Sequence, residues 1–119
     1  MSIGEENILN ILTQQTGLKF QAQYGIGIDG KWYRYDFALI DNNNKPYRLI
    51  EFDGIQHYDQ NSLHWGHDIS DTQRRDRIKN NYALLNNIPL VRIPYQARDN
   101  ITLEMILGDQ YLINKEVTE

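Results

Sequence analysis

The sequence has no cysteine, which excludes disulfides and thiolate metal sites and fits a reducing cytoplasm as the expected location. It has no run of eighteen apolar residues, so no membrane-spanning helix is expected. Its opening, MSIGEENILN, has neither a basic stretch nor a long apolar core, so no secretory leader is expected. Repeats, linkers and low-complexity segments are missing too. Positive charge is scarce: twelve Lys and Arg face sixteen Asp and Glu, leaving a net charge of −4. That balance argues mildly against nucleic acid, whose backbone is bound by Lys and Arg.

What is present is an ordinary globular composition over 119 residues, the size of one domain. We read residues 1–108 as that domain and 109–119 as a loose tail. The charges are uneven. RRDRIK, residues 74–79, holds four of the twelve basic side chains, while acids cluster around residues 51–59. An acidic cluster beside a basic helix suits a metal-dependent phosphodiester site; the plainer reading is a solvated face of mixed charge.

Ser2 and Glu5 have capping-box spacing, and Ile8, Leu9, Ile11 and Leu12 recur at helical intervals, predicting a helix over 2–16 ended by Gly17. LKFQAQY (18–24) alternates as a strand, and Gly25, Gly27 and Gly30 predict a loop. WYRYDFALI (32–40) and YRLIEFD (47–53) predict a hairpin across the turn DNNNKP. Residues 54–70 read as an ordered loop. Asp71 is the expected N-cap of a helix over 72–86, IPLVRI (88–93) is a short strand, and Asn100 is the expected cap of a last helix, ITLEMIL. A strand–helix–strand step needs a crossover, so the third and fourth strands should be parallel. The expected fold is α/β, a mixed sheet flanked by helices.

Within EFDGIQHYD (51–59), Glu51 and Asp53 are two apart on a strand and should share a face. Asp36 on the partner strand can come beside them. Three carboxylates on one face repel, and burying an unpaired ion is costly. A divalent cation removes the conflict, and an all-oxygen ligand set suits Mg²⁺ or Mn²⁺. Such a cation lowers the pKa of water and neutralises charge developing on a phosphate. His57, past the turn at Gly54, is suited to general base or acid work. Gln56 is placed to hold a water or a phosphate oxygen. Arg74, Arg75, Arg77 and Lys79 follow on a helix from which phosphates can be reached. Zinc is a weaker idea, because His57, His64 and His67 lack the compact spacing of a helical zinc site. Plainer readings stand beside these: Asp36 paired with Arg34 or Arg48, Glu51 and Asp53 on a wet sheet face, His57 as a loop hydrogen-bonder, Glu5 as a helix cap.

Taken together, Gly4-Glu5, RYDF (34–37), LIEFDGIQHY (49–58), TQRRDRIKNNY (72–82) and NNIPLVRIPY (86–95) resemble the PD-(D/E)xK nuclease superfamily. The likeness is to its very-short-patch-repair-like branch, to small phage and giant-virus proteins and to EDxHD homing endonucleases, and it covers roughly residues 4–107. It implies a restriction-endonuclease-like α-β-β-β-α-β core and a metal-dependent DNA endonuclease that nicks or cleaves DNA in the cytoplasm, the host's if the gene is a phage's. It implies Asp36, Glu51 and Asp53 as metal ligands, with Glu5, Gln56 and His57 completing the catalytic set. Asp53 stands where the superfamily pattern has lysine, and Lys79 on the following helix is the basic residue nearest to that role. Specificity would then come from loops, a homodimer or a partner protein. The alternative is a nuclease fold kept as a non-catalytic nucleic-acid-binding or interaction module.

Overall fold

The computed structural model describes residues 1–54 and 66–114, with 66–70 described by backbone alone. The first helix, α1, runs Ile3–Thr13 behind the expected capping box. Ser2 Oγ accepts from Glu5 N at 3.2 Å and Glu5 carboxylate accepts from Ser2 N at 2.9 Å. Strand β1 (Phe20–Ile28) and strand β2 (Lys31–Ile40) form a hairpin, followed by β3 (Pro46–Phe52), the helix α2 (Gly66–Leu85) and β4 (Leu90–Ile93). The sheet order is β1-β2-β3-β4, antiparallel except for the parallel β3–β4 pair that the crossover requires.

Several local expectations are corrected. Gly25 and Gly27 belong to β1 and not to a loop, because Ile26 and Ile28 continue the alternation. The reversal falls at Asp29-Gly30, with φ of 51° and 78°, the left-handed pair a two-residue hairpin needs. Helix α2 begins at Gly66, so residues 66–70 are helical and Asp71 is an interior residue that pairs with Arg74 and Arg75. The last helix, α3, is Leu103–Leu107, capped by Thr102 and not Asn100. Residues up to Asn114 are not loose. Arg92 N donates to Tyr111 O at 3.0 Å, Ile113 N donates to Leu90 O at 3.0 Å, and the Asn114 amide bridges Ile88 O and Leu90 N. This segment satisfies the outer edge of β4, which would otherwise present unpaired backbone groups.

The sheet is covered on both faces. Ile8 and Leu12 of α1 and Ile106 of α3 pack on Phe37, Ile50 and Val91. Ala83 of α2 packs with Tyr35, Leu49 and Leu90 on the other side. β1 and β2 swap faces together: Ala22 and Phe37 point toward α1, whereas Tyr24 and Tyr35 point toward α2. The swap falls at Gln23, whose φ is 55°, and at Asp36, the residue between Tyr35 and Phe37. The β2–β3 ladder ends at Phe37–Ile50, while β3–β4 pairing continues to Phe52–Ile93. A wedge therefore opens between β2 and β3 beside Asp36 and Glu51. Among the described residues, no helix is long and apolar enough to cross a membrane.

Candidate active site

The wedge is built by two side chains that take over where the ladder stops. Phe52 N donates to Asp36 Oδ2 at 2.7 Å, and Asp36 N donates to Glu51 Oε2 at 3.2 Å. Each carboxylate thus satisfies a backbone N–H that strand pairing would have used. Helix α1 lies close to this point because Gly4 has no side chain: a Cβ there would sit 2.2 Å from the Phe52 ring. That approach brings Glu5 into hydrogen-bond contact with Asp36. Two carboxyl groups can share a hydrogen bond only if one carries a proton. Burial, the neighbouring Glu51 and Glu5 push Asp36 up to about 8, against the opposing bond from Phe52 N.

Glu51 is 6% exposed, the only charged residue buried to that degree among the described residues. Burial raises its pKa, while Lys79 and Arg92 pull the other way. Lys79 reaches across from α2, its Nζ 2.9 Å from Glu51 Oε2 and 5.5 Å from the centre of the Tyr35 ring. The Tyr35 hydroxyl donates to the backbone carbonyl of Lys79 at 2.7 Å, fixing that turn of the helix to β2. Burial, followed by Glu51, raises the tyrosine's pKa.

Beside this pair stands Arg92 of β4, 9% exposed. Its Nη1 is 2.8 Å from Asp53 Oδ1 and 4.0 Å from Glu51 Oε1, its Nη2 is 3.3 Å from Asp76 Oδ1, and its Nε donates to Asn80 at 3.0 Å. Burial alone would lower the Arg92 pKa, but Glu51, Asp76 and Asp53 together raise it. Every buried side-chain polar atom among the described residues has a partner.

The structure brings Glu5, Asp36, Glu51 and Lys79 together. Asp53 faces Arg92, so the predicted third carboxylate is held by a guanidinium, and the repulsion on that face is relieved from within the chain. The described residues contain no group of three or more His, Asp or Glu placed to hold a metal ion. Asp36 and Glu51 fit a two-carboxylate site of the kind Mg²⁺ uses with waters and phosphate oxygens. Among the described residues no ion pair joins Asp36 to a cation, and a carboxylate held protonated by its neighbours is one a divalent ion would ionise. Gln56 and His57 lie outside the described residues, as does His64. Arg34 is exposed, and Arg48 caps α3, bonding Ile106 O at 2.8 Å and Gly108 O, so neither pairs with Asp36.

The four basic residues of the α2 motif separate. Lys79 is turned into the site and bonded to Glu51. Arg74 and Arg75 are half exposed beside Asp71, and Arg77 is exposed. Arg92, Asp76 and Asn80 lie within the stretches that carry the resemblance, but the sequence reading gave none of them a role in the site. The signal for Arg92 was there: it is the one charge in the apolar strand IPLVRI. Asp76 and Asn80 are four apart on one helix face and converge on it. Compared with family models, with curated proteins and with solved structures, the chain matches none.

Proposed function

We propose that the chain is a metal-dependent endodeoxyribonuclease with a restriction-endonuclease-like core of the PD-(D/E)xK type. The observation that carries this reading is the convergence of Asp36, Glu51 and Lys79 at the opening between β2 and β3. A strand aspartate, a buried strand glutamate and an ammonium meet at one point, and the lysine that the strand pattern lacks is supplied from α2. Asp36 and Glu51 would hold Mg²⁺ or Mn²⁺, with Glu5 beside Asp36. When bound, the cation supplies a water of lowered pKa and neutralises charge developing on the phosphate. Lys79, anchored by Glu51 and backed by the Tyr35 ring, presents fixed positive charge to a phosphate oxygen. Arg92 holds Asp53 and the second oxygen of Glu51, which fixes how β3 presents its carboxylate. The proton-transfer role of His57, and the water-holding role of Gln56, belong to this proposal on the strength of the strand–turn pattern.

The test is incubation of the protein with supercoiled plasmid and with branched DNA, in Mg²⁺, in Mn²⁺ and in chelator. Metal-dependent nicking should fall at least a hundredfold in Asp36→Ala, Lys79→Ala and His57→Ala. Nicking by Asp36→Ala at the wild-type rate would overturn the metal assignment. A wild-type protein that binds DNA without cutting any form would favour the non-catalytic module. One observation speaks for that second reading: Lys79 and Arg92 already balance Glu51 and Asp53 without a metal.

A further inference from the structure

We propose that Trp32 is a stacking platform for an unpaired nucleobase, so that the DNA this chain binds carries single-stranded nucleotides beside the site. The inference rests on the nuclease reading for its substrate, DNA, and goes beyond it in saying which form.

The first observation is how the indole is seated. Strand β1 contains two glycines, Gly25 and Gly27, opposite Arg34 and Trp32 in the ladder. Glycine inside a strand is unfavourable relative to alanine, and it marks places where another group comes close. Here the group is Trp32. A Cβ on Gly25 would lie 2.2 Å from the indole, and one on Gly27 would lie 3.9 Å from it. The ring rests across the bare backbone of both glycines. It nevertheless remains 64% exposed, the highest value for any aromatic residue among the described residues. A tryptophan that served the core would be covered; this one is backed on one side and open on the other.

The second observation is charge. A cavity of about 290 Å³ at this end of β2 is lined by Lys31, Trp32, Tyr33, Arg74 and Arg75. Three of those five residues are cations; among the described residues, Asp71 pairs with the two arginines and Asp29 lines the adjoining cavity with Lys31 and Arg74. Arg34, exposed, adds a fourth cation on the same strand. The chain is acidic overall, yet this end of β2 is basic: Arg34, two residues from Trp32, shares its sheet face, and Arg74 and Arg75 reach the cavity from α2. That is the combination by which proteins hold single strands: phosphates along a basic groove, bases on aromatic rings.

The third observation is continuity with the site. Arg75 and Lys79 are one helical turn apart on α2, and they lie 5.8 and 5.5 Å from the rings of Tyr33 and Tyr35, two apart on β2. The row leads from the carboxylates to the cavity. Trp32 is four residues from Asp36 along the strand, about 13 Å. A strand cut at the wedge would pass the indole a few nucleotides away. In a duplex the base faces are covered by their neighbours; in an unpaired segment they are free to stack.

The test reads binding, not cleavage. Trp32 and Trp65 are the only tryptophans, so the Trp65→Phe protein reports on Trp32 alone. In chelator, it is titrated with a thymidine oligonucleotide, with a blunt duplex of equal length and with a polyglutamate peptide. The expected result is saturable quenching of Trp32 emission by the single strand, with at least tenfold weaker binding of the duplex and none of the peptide. Trp32→Ala, checked for an unchanged melting temperature, should weaken single-strand binding measured by anisotropy about ten- to a hundredfold, and Trp32→Phe by less. Emission unmoved by the single strand, equal quenching by polyglutamate, or equal affinity of Trp32→Ala would each overturn the proposal. Because no metal is present, an absence of cleavage leaves this result standing. Conversely, nicking with unmoved Trp32 emission removes this inference and leaves the nuclease.

Discussion

At the scale of single residues, the centre of the molecule is one buried carboxylate and the cation that neutralises it. Glu51 and Lys79 are 8% and 13% exposed as side chains. Removing one partner of such a pair strands the other charge, at a cost of roughly 3–5 kcal/mol. Lys79→Met keeps the packing of the stem on Tyr35 and removes only the charge. It should therefore destabilise the protein by roughly 3 kcal/mol near neutral pH in urea unfolding, and adding Glu51→Gln should recover most of the loss. A double variant as unstable as the sum of the two singles would mean that the pair is not coupled. Asp36 makes a separate prediction. Its folded pKa of about 8 lies above the unfolded reference of 3.8, so the folded state holds the proton more tightly. The stability this gives is complete below the unfolded value and is lost as pH rises toward 8. In chelator, the wild type should lose stability relative to Asp36→Asn progressively between about pH 4 and pH 8, then run parallel to it. Curves that stay parallel throughout would show that Asp36 is ionised in the fold.

At the scale of elements, the site depends on how closely α1 approaches β3. The contact is Gly4 on the Phe52 ring, where a methyl group would meet carbon at 2.2 Å. Alanine favours helix over glycine, so helix propensity alone predicts that Gly4→Ala stabilises. Overpacking argues the reverse, by about 1–3 kcal/mol, and we expect it to win because the obstacle is an aromatic ring. Gly4→Ala should lower the melting temperature, and Phe52→Leu in the same chain should restore part of it; a stabilised Gly4→Ala would show that α1 moves freely. The capping box of α1, the β2–β3 hairpin and the parallel β3–β4 step were legible because each is written in local spacing. The extension of β1 was not, since Gly25 and Gly27 read as loop residues until Trp32 is placed over them. The early start of α2 was hidden because residues 66–70 hold one apolar side chain, Ile69, and set no apolar period. The edge pairing of residues 111–114 was illegible because it depends on β4, some twenty residues away. In the site, Asp36 beside Glu51 followed from hairpin register. Asp53 bonded to Arg92 did not, because that contact joins strands in register only after the crossover helix.

At the scale of the whole molecule, the chain divides its charge instead of spreading it. A net charge of −4 coexists with a basic cluster at Lys31, Arg74 and Arg75 and an acidic wedge at Glu5, Asp36 and Glu51. The acidic wedge sits between elements from both ends of the chain: α1, β2 and β3 supply carboxylates, and α2 and β4 supply the cations that face them. A ligand that prefers the ionised wedge must therefore stabilise the entire fold, by an amount fixed by its affinity and concentration. If Asp36 and Glu51 bind a divalent cation, Mg²⁺ or Mn²⁺ at a hundred times its dissociation constant adds about 2.7 kcal/mol, equivalent to roughly 10 °C for a domain of this size. The shift should be larger at pH 8 than at pH 6, because the cation competes with the proton on Asp36. It should nearly vanish in Asp36→Asn, and sodium chloride at matched ionic strength should not reproduce it. A melting temperature indifferent to both metals at pH 8 would leave the wedge as a protonated, internally paired structure, and Lys79 and Arg92 as the only cations it requires.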